Sequence, residues 1–384
     1  MQQAIVNEIR DHLRHNDISL AIRRILDVCL DIGNNDLLRD AIALSKQFRA
    51  FEKTGGTVTL PESFFATAEI VLNRAAQENK QIPDTYTSLL QSQQIAKTYG
   101  SGSFSLKPVS LSLVTGNILG VVGENGNGKT TLLRCLAGQL AIDQGTIKYE
   151  LLQSPDYYSI RNHVVFIPQR IPRWYGQLKD NLHFSASLAG VTGDANTLMV
   201  DFMLERLNLA AYAHLTWTQI SSGYRTRFEI ARILLQKPRL LILDEPLANL
   251  DINAQQTILT DLKFIAQSVH NPMGVILSSQ QLHEVEKIAD TVLFIKDGNC
   301  LFKTNSTTGK AVSYVLEVES TASREQLLQV LNSEQVQIQY NGGFYTITST
   351  TLPPGEIISK LVNNQVSMTY FRDITYSTKR FFLK

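Results

Sequence analysis

The sequence has few features of secreted, membrane-spanning or nucleic-acid-binding proteins. Only three of the 384 residues are cysteines, and their scattered positions fit buried free thiols in a reducing compartment better than disulfides or a metal site. No apolar run approaches the roughly twenty residues that cross a bilayer. The 36 basic and 35 acidic residues nearly balance, which indicates neither a nucleic-acid surface nor a polybasic membrane anchor. The first residues lack an apolar signal-peptide core, so we expect a cytoplasmic protein.

A glycine-rich stretch between an apolar run and an amphipathic helical pattern is the most informative feature. Residues 118–133 read Ile-Leu-Gly-Val-Val-Gly-Glu-Asn-Gly-Asn-Gly-Lys-Thr-Thr-Leu-Leu, which predicts a strand, a phosphate-binding loop and a helix. Gly123, Gly126 and Gly128 allow successive N–H groups to turn toward one point, where the following helix adds its positive end. Lys129 can place a cation on β- and γ-phosphates, and the Thr130 hydroxyl can bind Mg²⁺. The full pattern is far more specific than a glycine-rich turn with a surface lysine.

A second apolar run, Leu240 to Leu243, ends in two carboxylates. In an open α/β sheet, ligands bind at the carboxyl ends of the strands. Asp244 is placed to hold Mg²⁺ through water, and Glu245 can orient or deprotonate an attacking water. Two acids at a strand end can also cap a helix, but the phosphate-binding loop in the same chain favours the metal and catalytic roles.

Residues 92–304 resemble the nucleotide-binding subunit of ABC transporters, because five motifs follow one another in the family's order. Gly123–Thr130 looks like the Walker A loop, Gln169 like the Q-loop glutamine, Ile220–Tyr224 like the signature motif, Leu240–Glu245 like the Walker B strand, and Ala248–Asp251 like the D-loop. The resemblance implies an ATPase that uses ATP and Mg²⁺. It also implies that two copies of the chain close over two nucleotides and drive a membrane permease on a separate chain, most like the export systems.

The resemblance also implies three sets of site residues. The nucleotide would contact Tyr99, Gly123, Asn125, Gly126, Gly128, Lys129, Thr130, Thr131, Ser221 and Gly223. The metal would be held by Thr130, Gln169 and Asp244, and the catalytic residues would be Glu245, Gln169 and Gln280. Tyr99 stands where the family stacks an aromatic ring on adenine, although an ordinary strand residue is the alternative.

Two motifs depart from the family pattern. Aligned backwards from Ile230-Ala231-Arg232, Ser221 takes the serine position of the signature motif, Ser222 the first glycine and Gly223 the second. Gln280 stands where the switch histidine belongs. Glutamine can donate a hydrogen bond to a γ-phosphate but cannot carry a proton, so we predict hydrolysis that is slow or partner-dependent. We interpret His283, three residues later, as a surface or helix-packing residue.

The chain is predicted to be an α/β protein with three units. Residues 1–88 read as a helical unit that looks like the adaptor domains of bacterial signalling proteins, with an unidentified protein partner. Residues 92–304 form the P-loop NTPase domain of ABC type, with a helical subdomain over about residues 173–236. Residues 305–384 follow the order βαββαβ, which predicts a small ferredoxin-like α+β unit with an interaction role.

Two functions are compatible with these patterns. In the first, the chain is the ATPase of a transporter, peripheral at the inner face of the cell membrane, with Trp174, Tyr175 and Leu178 either facing the permease or lying in the subdomain core. In the second, it is a soluble ABC-type ATPase that acts as a signalling or assembly switch through its N-terminal unit. A GTPase is excluded because the sequence has no Asn-Lys-x-Asp motif.

Overall fold

The protein is described by a computed structural model. The description covers residues 2–54, 60–78, 87–100, 104–150, 152, 156–268, 272–305, 314–331, 336–341 and 343–375. Within these ranges no helix combines the length and the apolar character that a membrane span needs.

Four helices make up the N-terminal unit, and polar caps set their ends. They are α1 (Gln2–Arg14), α2 (Ile18–Ile32), α3 (Asn35–Glu52) and α4 (Glu62–Gln77). The Asp17 side chain accepts from the backbone N–H of Leu20 at the start of α2, and Gly33 ends that helix at a φ of 70°. The apolar faces of the helices form one core.

The ATPase unit contains a six-stranded sheet, a three-stranded antiparallel sheet and a group of helices. In chain order its elements are β1 (Ser88–Thr98), β2 (Ser105–Val114), β3 (Ile118–Val122), α5 (Lys129–Leu136), β4 (Gln144–Lys148), α6 (Tyr157–His163), β5 (Val164–Ile167), α7 (Leu178–Leu188), α8 (Gly193–Arg206), α9 (Ser222–Leu234), β6 (Leu240–Leu243), α10 (Ile252–Ala266), β7 (Gly274–Ser279), α11 (Leu282–Val285), β8 (Thr291–Lys296) and β9 (Asn299–Asn305). The larger sheet has the order β5-β6-β7-β3-β8-β9 and is parallel except for β9. The smaller sheet has the order β2-β1-β4.

The first strand of the ATPase unit begins at Ser88, before the predicted boundary at residue 92. Leu89 and Leu90 are both fully buried, and the pairing with β2 shifts register between Ser88 and Leu90. Two consecutive residues therefore face the interior, and the alternation on which the prediction relied is interrupted there.

Helices α7, α8 and α9 form a subdomain around two stacked tryptophans. The ring centroids of Trp174 and Trp217 lie 5.0 Å apart, and Phe228 meets Trp174 edge-on. Leu178 is fully buried in the same core. Trp174 and Leu178 are thus core residues of the subdomain. Of the two roles left open by the sequence, a surface for the permease and the subdomain core, these two residues have the second.

The C-terminal unit has the order of elements that the sequence predicts. It consists of β10 (Tyr314–Ser320), α12 (Arg324–Leu331), β11 (Val336–Asn341), β12 (Phe344–Ser349), α13 (Pro354–Asn363) and β13 (Met368–Asp373). The four strands form an antiparallel sheet in the order β11-β12-β10-β13. Apolar residues of both helices and of the sheet build a separate core.

The N-terminal unit packs against the ATPase unit through α2 and α3. Phe202 of α8 is fully buried and belongs to the core of the N-terminal helices. Arg206 of α8 pairs with Asp27 of α2 at 2.6 Å, whereas Arg23 of α2 pairs with Asp261 of α10. One helix of the N-terminal unit therefore contacts both the helical subdomain and the core of the ATPase unit.

Two of the cysteines are buried free thiols. Burial raises the pKa of Cys29 to about 12 and the pKa of Cys135 to about 11. Since the thiolate is the reactive form, both side chains remain protonated and unreactive at neutral pH. Cys300 is half-buried.

Candidate active site

The phosphate-binding loop leaves the carboxyl end of β3, a strand whose residues are all buried between β7 and β8. A Cβ atom at Gly123 would lie 2.3 Å from the carbonyl oxygen of Ile295, and a Cβ at Gly128 would lie 2.6 Å from the Phe104 ring. Gly128 also has a φ of 104°. The loop thus follows a path that residues with side chains could not take at these two positions.

The Lys129 ammonium group is held under the loop. Only 4% of its side chain is exposed, and Nζ donates to the carbonyl oxygens of Gly123 at 2.8 Å and Glu124 at 3.1 Å. It also pairs with Glu245 Oε1 at 3.0 Å. The cation is therefore fixed at the start of α5, where a phosphate group would meet both the charge and the helix N-terminus.

Hydroxyl and carboxylate oxygens meet beside Lys129. Thr130 Oγ1 donates to Asp244 Oδ2 at 2.7 Å, and Ser278 Oγ donates to Asp244 Oδ1 at 2.7 Å. Ser278 Oγ also accepts from the backbone N–H of Glu245 at 2.9 Å. Neutral hydroxyl and carboxylate oxygens are the ligands that Mg²⁺ takes beside phosphates, so the residues fit this metal.

Glu245 lies at the meeting point of three loops. Its Oε2 accepts from Gln169 Nε2 at 2.9 Å and from Gln280 Nε2 at 2.7 Å. Its backbone has a φ of 47°, a left-handed conformation that is rare for residues with side chains. The sequence places Gln280 on a γ-phosphate, whereas its amide here bonds to the glutamate. His283 is an exposed residue of α11, as interpreted from the sequence.

The remaining residues predicted for the nucleotide on this side also lie around the loop. Tyr99 follows β1, is 37% exposed, and its hydroxyl lies 3.3 Å from Thr131 Oγ1 at the start of α5. Asn125 and Gly126 are exposed in the loop itself. An accessible aromatic ring therefore stands beside the helix that would receive the phosphates.

Ser221 and Gly223 stand apart from this cluster. Ser221 is exposed at the N-terminus of α9, and its side chain makes no capping hydrogen bond. Gly223 is buried, and a Cβ added at this position would lie 3.5 Å from the Cβ of Ala254 in α10. Among the described residues no hydrogen bond joins either residue to the phosphate-binding loop. Within one copy of the chain, Ser221 and Gly223 therefore do not contact the phosphate-binding loop.

Two residues of the site escape sequence reasoning. Ser278 bridges the carboxylate of Asp244 and the backbone of Glu245, but in the sequence it is one serine at the end of an apolar run. Asn127 is 7% exposed, and its Oδ1 accepts from the backbone N–H of Asp297 at 3.1 Å. Both residues connect segments that are distant in sequence. The only signal in the sequence would have been a hydrophilic residue next to a motif.

Comparisons with known proteins match the same part of the chain. A family model described as ABC transporter matches residues 106–248. The uncharacterized ABC transporter ATP-binding protein YdbJ of Bacillus subtilis is 28% identical over 303 residues, which cover 77% of this chain and 94% of that protein. The phosphonates import ATP-binding protein PhnC of Bdellovibrio bacteriovorus is 33% identical over 231 residues, covering 56% of this chain and 87% of that protein.

A solved structure shares the fold. The structure of cbiO1 from Clostridium perfringens, described as part of the ABC transporter complex cbiONQ, superposes with a TM-score of 0.52 at 24% identity, over 57% of this chain and 88% of that one. This likeness supports the P-loop architecture around the site. The identity to PhnC, together with the family match, shows that the chain belongs to the ATP-binding subunits of ABC transporters, which are ATP-hydrolysing enzymes.

Proposed function

We propose that the cluster around Lys129 binds Mg·ATP and that two copies of the chain together power a membrane permease on another chain. The observation that carries the proposal is the meeting of a buried ammonium group, a threonine–aspartate pair and a glutamate with two amide donors within one loop system. Thr130 and Asp244, whose side chains are hydrogen-bonded at 2.7 Å, would hold Mg²⁺ together with Gln169. The metal would neutralise charge on the phosphate oxygens.

The proposed catalytic step depends on releasing Glu245 from Lys129. In the structure both carboxylate oxygens have donors, Lys129 on Oε1 and the two glutamines on Oε2. A γ-phosphate offers Lys129 a stronger anionic partner. Transfer of the ammonium group to phosphate frees Oε1, which can then accept the proton of an attacking water. Gln169 and Gln280 would keep the carboxylate oriented through Oε2.

Gln280 leads us to propose slow or partner-dependent turnover. Glutamine donates its hydrogen bonds from a neutral amide and cannot take up or release a proton. Its bond to Glu245 Oε2 positions the carboxylate but adds no charge at the reacting phosphate. A histidine at this position could supply both a charge and a proton.

We further propose that Ser221 completes the site of a second copy. It is exposed at the N-terminus of α9, where backbone N–H groups and the helix dipole favour an anion. Its position away from the loop of its own chain fits a contact with nucleotide held by a partner copy. An isolated monomer would then hydrolyse ATP poorly.

The surface proposed for the permease consists of three exposed apolar residues on the helical subdomain. Tyr175 is 81% exposed, Phe184 66% and Leu188 69%. Phe184 and Leu188 are four residues apart in α7 and share one face, and Asn181 of the same helix donates to the Tyr175 carbonyl oxygen at 2.8 Å. Exposed apolar side chains grouped in this way mark interaction sites. Docking here would place the chain peripherally at the inner face of the membrane.

Transport is favoured over the signalling-switch alternative. The relatives named above carry transporter names. The sequence also predicts export, but PhnC is an import protein, so our proposal specifies the ATPase and its permease and not a direction.

A hydrolysis assay tests the proposed site. Glu245→Gln should lower phosphate release at saturating Mg·ATP by about 10² to 10⁴, the usual contribution of a general base, with Mg·ATP affinity within a few-fold of the parent chain. Glu150→Gln removes an exposed glutamate of the same unit and is the control. Equal turnover in the two variants would disprove the assignment of Glu245.

A further inference from the structure

A large cavity lies between the N-terminal unit, the helical subdomain and the rest of the ATPase unit. Its volume is about 970 Å³. Its walls come from α2 of the N-terminal unit, α8 of the helical subdomain, and the end of α10 with the turn between α9 and β6. Ligand pockets commonly occur at such junctions between domains, with volumes of roughly 300–1,000 Å³.

Apolar side chains form much of the cavity wall. Val28 from α2, Met199 and Met203 from α8 and Phe264 from α10 all contribute to it. Methionine side chains are flexible and polarizable, and they adapt to apolar ligands of different shape. These side chains therefore offer a surface that suits a hydrocarbon chain or ring.

The charges of the wall leave a positive excess at its edge. The charged residues of the lining are Arg24, Asp27, Asp31, Arg206, Lys237 and Arg239, an excess of two positive charges. Asp27 pairs with Arg206 and Arg24, and Asp31 accepts from Ser268. Lys237 and Arg239 are exposed, and they form no ion pair with any of the described residues. Two cations at the edge of an apolar cavity favour an anionic group there.

We propose that this cavity binds a small amphipathic anion. The apolar part would lie against Met199, Met203 and Phe264, and a carboxylate or phosphate group would lie at Lys237 and Arg239. The N-terminal unit, the helical subdomain and the rest of the ATPase unit all contribute to the cavity. A bound ligand therefore stabilises their present arrangement and raises the unfolding midpoint of the protein by mass action. The proposal does not depend on nucleotide, so its failure would leave the proposed ATPase site untouched.

Calorimetric titration of the full chain without nucleotide tests the proposal, with octanoate, octyl phosphate and octan-1-ol as probes. We expect both anions to bind at least about tenfold more tightly than the alcohol. A double variant, Lys237→Ala with Arg239→Ala, should remove that advantage while octan-1-ol binds as before. The matched control, Arg39→Ala with Lys46→Ala, removes two exposed cations of α3 and should change nothing. A difference between octanoate and octyl phosphate identifies the preferred head group.

A second variant tests the location. Ala195 is exposed and lines the cavity, so Ala195→Phe should narrow the cavity without disturbing the core. This variant should weaken the binding of the anions and of the alcohol alike. The proposal is wrong if no probe binds with a Kd below about 1 mM. It is equally wrong if octan-1-ol binds as tightly as the anions, if the Lys237 and Arg239 double variant keeps the advantage, or if Ala195→Phe has no effect.

Discussion

The ion pair between Asp27 and Arg206 offers the most direct test of how the N-terminal unit is attached. Only 4% of the Arg206 side chain and 11% of the Asp27 side chain are exposed, and Asp27 Oδ1 lies 2.7 Å from Nε and 2.6 Å from Nη2 of Arg206. Asp27→Asn leaves the buried guanidinium group without a full counter-charge. Loss of one partner of a buried pair costs about 3–5 kcal/mol.

We expect the lower end of this range. Burial raises the pKa of the Asp27 carboxyl, and the charges of Arg206 and Arg24 oppose that rise, so the pair offsets only part of its desolvation. The predicted loss of unfolding free energy is therefore about 3 kcal/mol. The double variant Asp27→Asn with Arg206→Met should recover most of this loss, because the buried guanidinium group that lost its counter-charge is replaced by an apolar side chain.

Urea unfolding followed by tryptophan fluorescence measures the effect. The chain has two tryptophans, Trp174 and Trp217, and both are buried in the helical subdomain that contains Arg206. Asp40→Asn is the matched control, because Asp40 pairs with Arg74 on the surface and its loss should cost about 0–1 kcal/mol. If Asp27→Asn shifts the transition no more than this control, the N-terminal unit is not fixed to α8 as described.

Three further variants test the site and its surroundings. Gln280→His should raise the ATP turnover measured by phosphate release, and an unchanged or lower rate would count against our explanation of slow hydrolysis. Gly123→Ala should weaken Mg·ATP binding by at least about tenfold in a titration, because its Cβ would meet the Ile295 carbonyl oxygen; Gly100→Ala, in open space, should bind like the parent. Phe184→Asp with Leu188→Asp should reduce recovery of the chain with membranes and leave its ATP binding intact, whereas full recovery would remove that surface from the proposal.

The site residues that the sequence singles out belong to local patterns. Gly123 to Thr130 and Leu240 to Glu245 carry their chemistry within a few consecutive residues, because strand, loop and helix follow directly in the chain. The structure brings these two segments into contact through the bond from Thr130 to Asp244. The order of elements in the C-terminal unit was predictable for the same reason, since alternation and turns are local signals.

The features that were missed depend on long-range contacts. Nothing in the periodicity of α8 indicates that Phe202 completes the core of helices more than a hundred residues earlier, or that Arg206 pairs with Asp27. The partner of Gln280 could not be predicted either, because its bond to Glu245 depends on how two strand ends approach each other. Similarly, hydrophobicity alone does not separate the buried Trp174 from the exposed Tyr175.

The oligomeric state of Glu245→Gln in the presence of nucleotide tests the central claim most directly. This variant retains Lys129, Thr130, Asp244 and the exposed Ser221, but lacks the carboxylate proposed to activate water. Light scattering at saturating Mg·ATP should show a dimer that returns to monomer when nucleotide is removed. A variant that binds Mg·ATP and stays monomeric, or a chain with no affinity for Mg·ATP, would contradict the account.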